Sequence, residues 1–238
     1  MSQTDDSSTS RIRAAYQDVL SRGLKASKGR PFEVVGVTKT LPVETVAAAY
    51  RAGLRNFGEN YADELIAKAS HPSLIFTDDP IRWHFIGAIQ SRKIHKLADL
   101  VAVWHSVSRE KEIELIAKLS PAVAVFIQVD FSENEQRNGV RLVEAAGLVN
   151  LCRERDLRVI GLMVVPPLVD PESLGKIFTE VNAERLRLGL QGCSMGMSDD
   201  FELALARGST HIRVGTVLFG ARNKTELLGS KIVQGGPE

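Results

Sequence analysis

Lys39 closes the run Phe32-Glu33-Val34-Val35-Gly36-Val37-Thr38-Lys39. A lysine held against apolar walls loses hydration, its pKa falls, and the neutral amine can condense with an aldehyde. On this stretch alone, a solvated lysine at a strand end is the simpler reading. A wider set of residues reverses it. Asn60, His84, Met163, the loop Ser194-Met195-Gly196-Met197-Ser198 and the segment Arg213-Val214-Gly215-Thr216 each fall toward the end of an apolar stretch. Gly196 and Gly215 let the main chain approach a ligand, while Ser198 and Thr216 add hydroxyl donors, a combination suited to phosphate. Taken singly, these are ordinary turn and cap residues. Asp199 and Asp200 suit the start of a helix but would repel a phosphate there. The phosphate is therefore expected nearer Gly215 and Thr216, with Ser198 reaching in.

His84 offers a ring, and Met163 a polarizable thioether, to a flat ligand; core packing accounts for either equally well. Arg213 stands among apolar strand residues, where an unpaired charge is costly, so it needs an acidic side chain or a ligand. Amine, stacking groups, buried arginine and phosphate loops together match one cofactor, pyridoxal 5′-phosphate (PLP). An arginine facing the pyridine nitrogen would disfavour its protonation and weaken the ring as an electron sink.

The elements that must position these residues form one rhythm. Strands are predicted over 32–39, 54–58, 83–87, 100–105, 122–130, 157–163, 190–194 and 211–214. Helices are predicted between them, including 11–28 before the first strand, 91–98, 109–119 capped by Ser108, a helix reaching 154 directly after the polar loop 131–139, 171–188 and 199–207. Alternation of this kind means parallel strands with right-handed crossovers, and eight such units predict an α/β fold, a single (β/α)₈ TIM barrel. A doubly wound sheet is the alternative, but its Gly-x-Gly-x-x-Gly turn is missing after the first strand. The barrel is expected over 11–228, with a disordered lead-in over 1–10 and a tail over 229–238.

Composition narrows the function classes. The 238 residues carry 30 Lys and Arg against 29 Asp and Glu, with no basic block to meet nucleic acid. No apolar run approaches the ~20 residues of a membrane span, and residues 1–10 read as neither a secretory signal nor a transit peptide. Cys152 and Cys193 are isolated and are expected as free thiols in a reducing cytoplasm. The histidines show no metal-ligand spacing. No long apolar segment asks for burial in a partner, which predicts a monomer.

The segments Val37-Thr38-Lys39, Asn56 to Tyr61, Trp83 to Gly87, Gly161-Leu162-Met163, Ser194 to Asp199 and Arg213 to Arg222 span nearly the whole chain in order. In them the sequence resembles the pyridoxal phosphate homeostasis proteins (YggS/PROSC type), whose barrel is similar to the alanine-racemase N-terminal domain, PLP fold type III. The resemblance implies that Lys39 forms a Schiff base with the cofactor and that Arg213 faces the pyridine nitrogen. It further implies that Ser198, Gly215 and Thr216 hold the phosphate, and that Asn60, His84, Met163 and Ser194 line the ring. Two departures are visible: Arg92 stands where the family usually has Asn, and Arg137 where it usually has Lys. The second puts any lysine-specific role of that loop in doubt, since arginine forms no Schiff base.

Two functions follow. One is a carrier that holds, buffers and delivers PLP to apo forms of PLP-dependent enzymes. The other is a PLP-dependent racemase. Racemisation needs an acid/base group on each face of the cofactor plane. Alanine racemases take the second, a tyrosine, from a further β-domain and a partner subunit. Here Tyr16 and Tyr50 fall in helices and Tyr61 begins one, so the carrier is the expected function.

Overall fold

The computed structural model describes residues 3–132 and 137–220. Nine strands run through them: β1 Glu33–Val37, β2 Asn56–Glu59, β3 Arg82–Phe85, β4 Val101–Val107, β5 Ala124–Asp130, β6 Val140–Arg141, β7 Arg158–Val164, β8 Gly192–Ser194 and β9 His211–Val214. Every pairing is parallel, in the order β4-β3-β2-β1-β9-β8-β7-β5-β6, and β4 also pairs with β5. That last contact closes an eight-stranded barrel, with β6 a two-residue appendage on β5. The helices are α1 Gln3–Ala26, α2 Val43–Arg51, α3 Ala62–Ala69, α4 Ile94–Leu97, α5 Glu110–Leu119, α6 Ala145–Glu154, α7 Pro171–Arg187, α8 Phe201–Ala206 and α9 Thr216–Phe219.

The predicted barrel is present. Its strands are rich in β-branched residues, and parallel strands covered on both faces read as continuous apolar runs. Outward-facing Phe57, Trp83, Phe85, Trp104 and Leu162 pack with the helices into one large core. Truncating a fully buried aromatic such as Phe57 to alanine costs about 3–5 kcal/mol. The barrel interior has a much smaller apolar cluster: Val103, Ala124, Phe126 and Met163. Polar groups share that interior, with His84, His105, Ser194 and Arg213 all buried.

Three expectations need correcting. Residues 3–10 are helical, not a disordered lead-in: α1 starts at Gln3, and Thr9 is buried one turn before Ile12 on the same stripe. The polar composition of the segment hid that periodicity. Ser108 is not the cap of α5; its amide and that of Arg109 instead donate to Glu112 Oε2, at 2.9 and 3.1 Å. The helix predicted directly after the polar loop is preceded by β6 and a 3₁₀ turn at Leu142–Glu144. The predicted tail over 229–238 lies outside the described residues.

Candidate functional site

The C-terminal ends of the strands bring most of the predicted residues toward one mouth, beginning with Lys39 beyond β1. Its two neighbours are fixed by a buried charge cluster. Thr38 Oγ1 donates to Glu59 Oε1 at 2.7 Å, and the Thr38 carbonyl accepts from Lys68 Nζ at 2.7 Å. Lys68 also donates to Glu59 and to Glu64, each at 2.7 Å, so all its N–H bonds are used. Burial pushes the Glu59 carboxyl up, opposed by the Lys68 charge beside it. On the other side Thr40 adopts φ 64°, a left-handed conformation that a β-branched residue rarely takes. Its amide donates to Glu64 at 2.5 Å. One cluster therefore pins the backbone on both sides of Lys39.

Asn60 follows Glu59 directly. Its carbonyl lies 2.0 Å from where a Cβ on residue 87 would sit, so only glycine fits at Gly87. The close approach locks the loops after β2 and β3 together. Asn60 Oδ1 is buried with no hydrogen-bond partner, an acceptor left for something at the mouth.

Arg213 rises from β9 and is 4% exposed. Its Nη1 donates to the Ser194 carbonyl and to Ser194 Oγ, both at 2.7 Å, and Nη2 donates to the Val164 carbonyl at 2.8 Å. The sequence required an acidic partner or a ligand; these three bonds are all to neutral oxygens, and the guanidinium has N–H donors beyond those they use. Burial pulls its pKa down to about 10, partly offset by Asp200, so it stays charged at neutral pH. Met163 lies in the inner cluster, paired in register with Ser194.

Ser198, Gly215 and Thr216 converge at the ends of β8 and β9. Ser198 Oγ accepts from the Gly215 and Val217 amides, at 3.2 and 3.4 Å. Asp200 is occupied by its own turn, accepting from the Met197 amide at 2.5 Å, and burial raises its pKa. Gly196, at φ 97°, permits the sharp turn between Ser194 and Ser198. Arg137 donates to the Val165 carbonyl, just past the neighbouring strand β7, at 3.5 Å, and Arg92 is exposed in a 3₁₀ turn.

His84 is placed differently from its expected role. It is fully buried, its Nδ1 lies 2.8 Å from His105 Nε2, and its Nε2 lies 3.2 Å from Asn56 Oδ1. It reaches Ser194 only through His105, whose Nδ1 is 2.8 Å from Ser194 Oγ. Desolvation holds both imidazole pKa values well below the usual range, and neighbouring cations add to the effect. Sequence reasoning missed His105 and the Glu59–Lys68 pair. The one available signal was a polar side chain inside an apolar run.

A family model described as "Alanine racemase, N-terminal domain" matches residues 22–223. The pyridoxal phosphate homeostasis protein of Pseudomonas aeruginosa is 37% identical over 198 residues, covering 80% of this chain and 84% of its own length. The chain belongs to the pyridoxal phosphate homeostasis protein family. The Escherichia coli K12 member is 34% identical over 230 residues, 88% of this chain and 95% of that one. Among solved structures, PipY of Synechococcus elongatus with PLP bound aligns at a TM-score of 0.75 and 29% identity, over 88% of this chain and 100% of PipY. An alanine racemase from E. faecalis aligns at a TM-score of 0.68 and 16% identity over 92% of this chain and 58% of its own, a likeness of fold alone. The homeostasis family is thus a barrel shared with much longer enzymes.

Proposed function

We propose that this protein binds PLP through Lys39 and acts in PLP homeostasis as a carrier, holding the cofactor and releasing it to apo-enzymes. The observation that carries this reading is Arg213: a buried, charged donor fixed by three bonds to neutral oxygens, with further N–H donors to offer. The mouth fits the cofactor in other respects. Asn60 Oδ1 is an unpartnered buried acceptor, and a hydroxyl and two amides converge at Ser198 for the phosphate. Asn60, Met163 and Ser194 line the ring, and Gly215 and Thr216 support the phosphate beside Ser198.

PLP supplies an aldehyde for Lys39 and a ring that can accept electrons. Arg213 would hold the ring nitrogen by a hydrogen bond and give it no proton, which would limit that electron acceptance. Proton transfer on the second face has weak support. His84 and His105 are buried and committed to one another, Tyr50 donates its hydroxyl to the Asp79 carbonyl at 2.7 Å, and Tyr61 is 57% exposed. These features favour a carrier over a racemase. The carrier is expected to act as a monomer.

The test is an absorption spectrum with PLP before and after borohydride, with mass spectrometry of the peptide bearing Lys39. A reduced pyridoxyl adduct on Lys39, absent in Lys39→Ala, together with transfer to an apo-enzyme and negligible amino-acid turnover, is the expected result. No adduct in excess PLP removes the proposal, and rapid racemisation replaces the carrier with an enzyme.

A further inference from the structure

Four hydrogen bonds link five side chains inside the barrel. They run from Arg213 Nη1 to Ser194 Oγ at 2.7 Å, to His105 Nδ1 at 2.8 Å, from His105 Nε2 to His84 Nδ1 at 2.8 Å, and from His84 Nε2 to Asn56 Oδ1 at 3.2 Å. Both ends are chemically one-sided. Arginine only donates, so Ser194 Oγ accepts from it and its own hydrogen points on to His105. An amide oxygen only accepts, so His84 Nε2 carries a hydrogen. Both rings are fully buried, with the Arg213 cation near His105 and the Arg82 cation near His84, which keeps each neutral with a single N–H. From either end the protons fall in the same places. Both imidazoles are Nε2–H tautomers, and every bond in the chain points away from Arg213.

We propose that His105 and His84 are positioning residues for PLP binding, acting through Ser194 to fix the guanidinium that meets the cofactor's ring nitrogen. The proposal rests on the PLP reading above. Without His105, the Ser194 hydroxyl loses its acceptor and is free to turn its hydrogen toward Arg213, where it no longer accepts. With His105 in place the hydroxyl is oriented, and by donating onward its oxygen becomes a stronger acceptor for Nη1. His84 in turn accepts from His105, and Asn56 ends the chain on the first residue of β2. No ring nitrogen or hydroxyl in the sequence of bonds is left unsatisfied.

The first measurement is the ¹⁵N spectrum of the histidine side chains in the ligand-free protein at neutral pH. Neutral rings protonated on Nε2 at both His84 and His105 are expected; an Nδ1–H tautomer or an imidazolium at either overturns the chain. The second is PLP affinity in two variants. His105→Phe keeps a ring of similar shape but removes both bonds, and should bind PLP about tenfold more weakly. His105→Asn places an amide oxygen where Nδ1 was, restoring the acceptor for Ser194, and should stay within about threefold of the parent. Parental affinity in the Phe variant, or equal weakening in both, overturns the positioning role. If the Phe variant does not fold, the tautomer measurement and the Asn variant decide. Failure of the parent to bind PLP would refute the cofactor reading instead, and the parent's own titration tells the two apart.

Discussion

Arg213 separates what a single residue type announces from what its surroundings make of it. A charge in an apolar strand already implied a partner, and the partners turn out to be carbonyls and a hydroxyl, with donor capacity to spare. Arg213→Ala should therefore lose bound PLP on dialysis while far-ultraviolet circular dichroism stays at the parental level. Retention of the cofactor would count against the ring-nitrogen contact. His84 teaches the opposite lesson. Its place near a strand end suggested a stacking face, yet its nitrogens are committed within the barrel. The residue that commits it, His105, lies on the next strand, and the hydroxyl beyond that is 89 positions further along the chain. Spacing along one strand carries no record of such a pairing. Alternation alone would have placed His105 inward with Val103, but not named its partner.

At the scale of elements, the strands were legible because buried parallel strands are written as apolar runs, as in Ala124–Asp130. The Glu59–Lys68 cluster was not. Glu64 and Lys68 stand four apart on α3, the spacing of an ordinary surface pair, and only the fold shows Lys68 buried beneath Thr38. Lys68→Met should cost about 3–5 kcal/mol at neutral pH, because Glu59 is left in the interior without its cation, held only by the Thr38 hydroxyl. The pH dependence follows from the raised Glu59 pKa. A carboxyl whose folded pKa lies above its unfolded value favours the fold most below the unfolded pKa, and that contribution is lost as pH rises through the folded pKa. Urea melts should thus show a smaller deficit for the variant near about pH 5 than at neutral pH. A deficit independent of pH would mean that packing, not charge, dominates there.

For the whole molecule, closure was inferable from eight alternating units, whereas the polar groups of the interior and the helical start at Gln3 were not. Both depend on which faces meet once the barrel closes. The two free thiols report on that closure. Cys152 on α6 and Cys193 on β8 are fully buried in the outer core, and burial pushes each thiol up to about 12. The native protein should resist a thiol reagent at mildly alkaline pH and react fully once denatured. If the barrel opens as one unit, both cysteines should label at the same rate across urea concentrations. A markedly faster Cys152 would locate a weaker seam at α6.

Thr40 sets durability against grip. A threonine held at φ 64° beside Lys39 is a conformational debt carried at the mouth. Asparagine tolerates that conformation far better, so Thr40→Asn should raise stability by about 1 kcal/mol in urea melts. A lower midpoint would mean that contacts of the threonine side chain outweigh its backbone cost. Selection for heat resistance alone would be expected to erase this threonine early. What the strained residue secures in exchange is a fixed position for the amine next door.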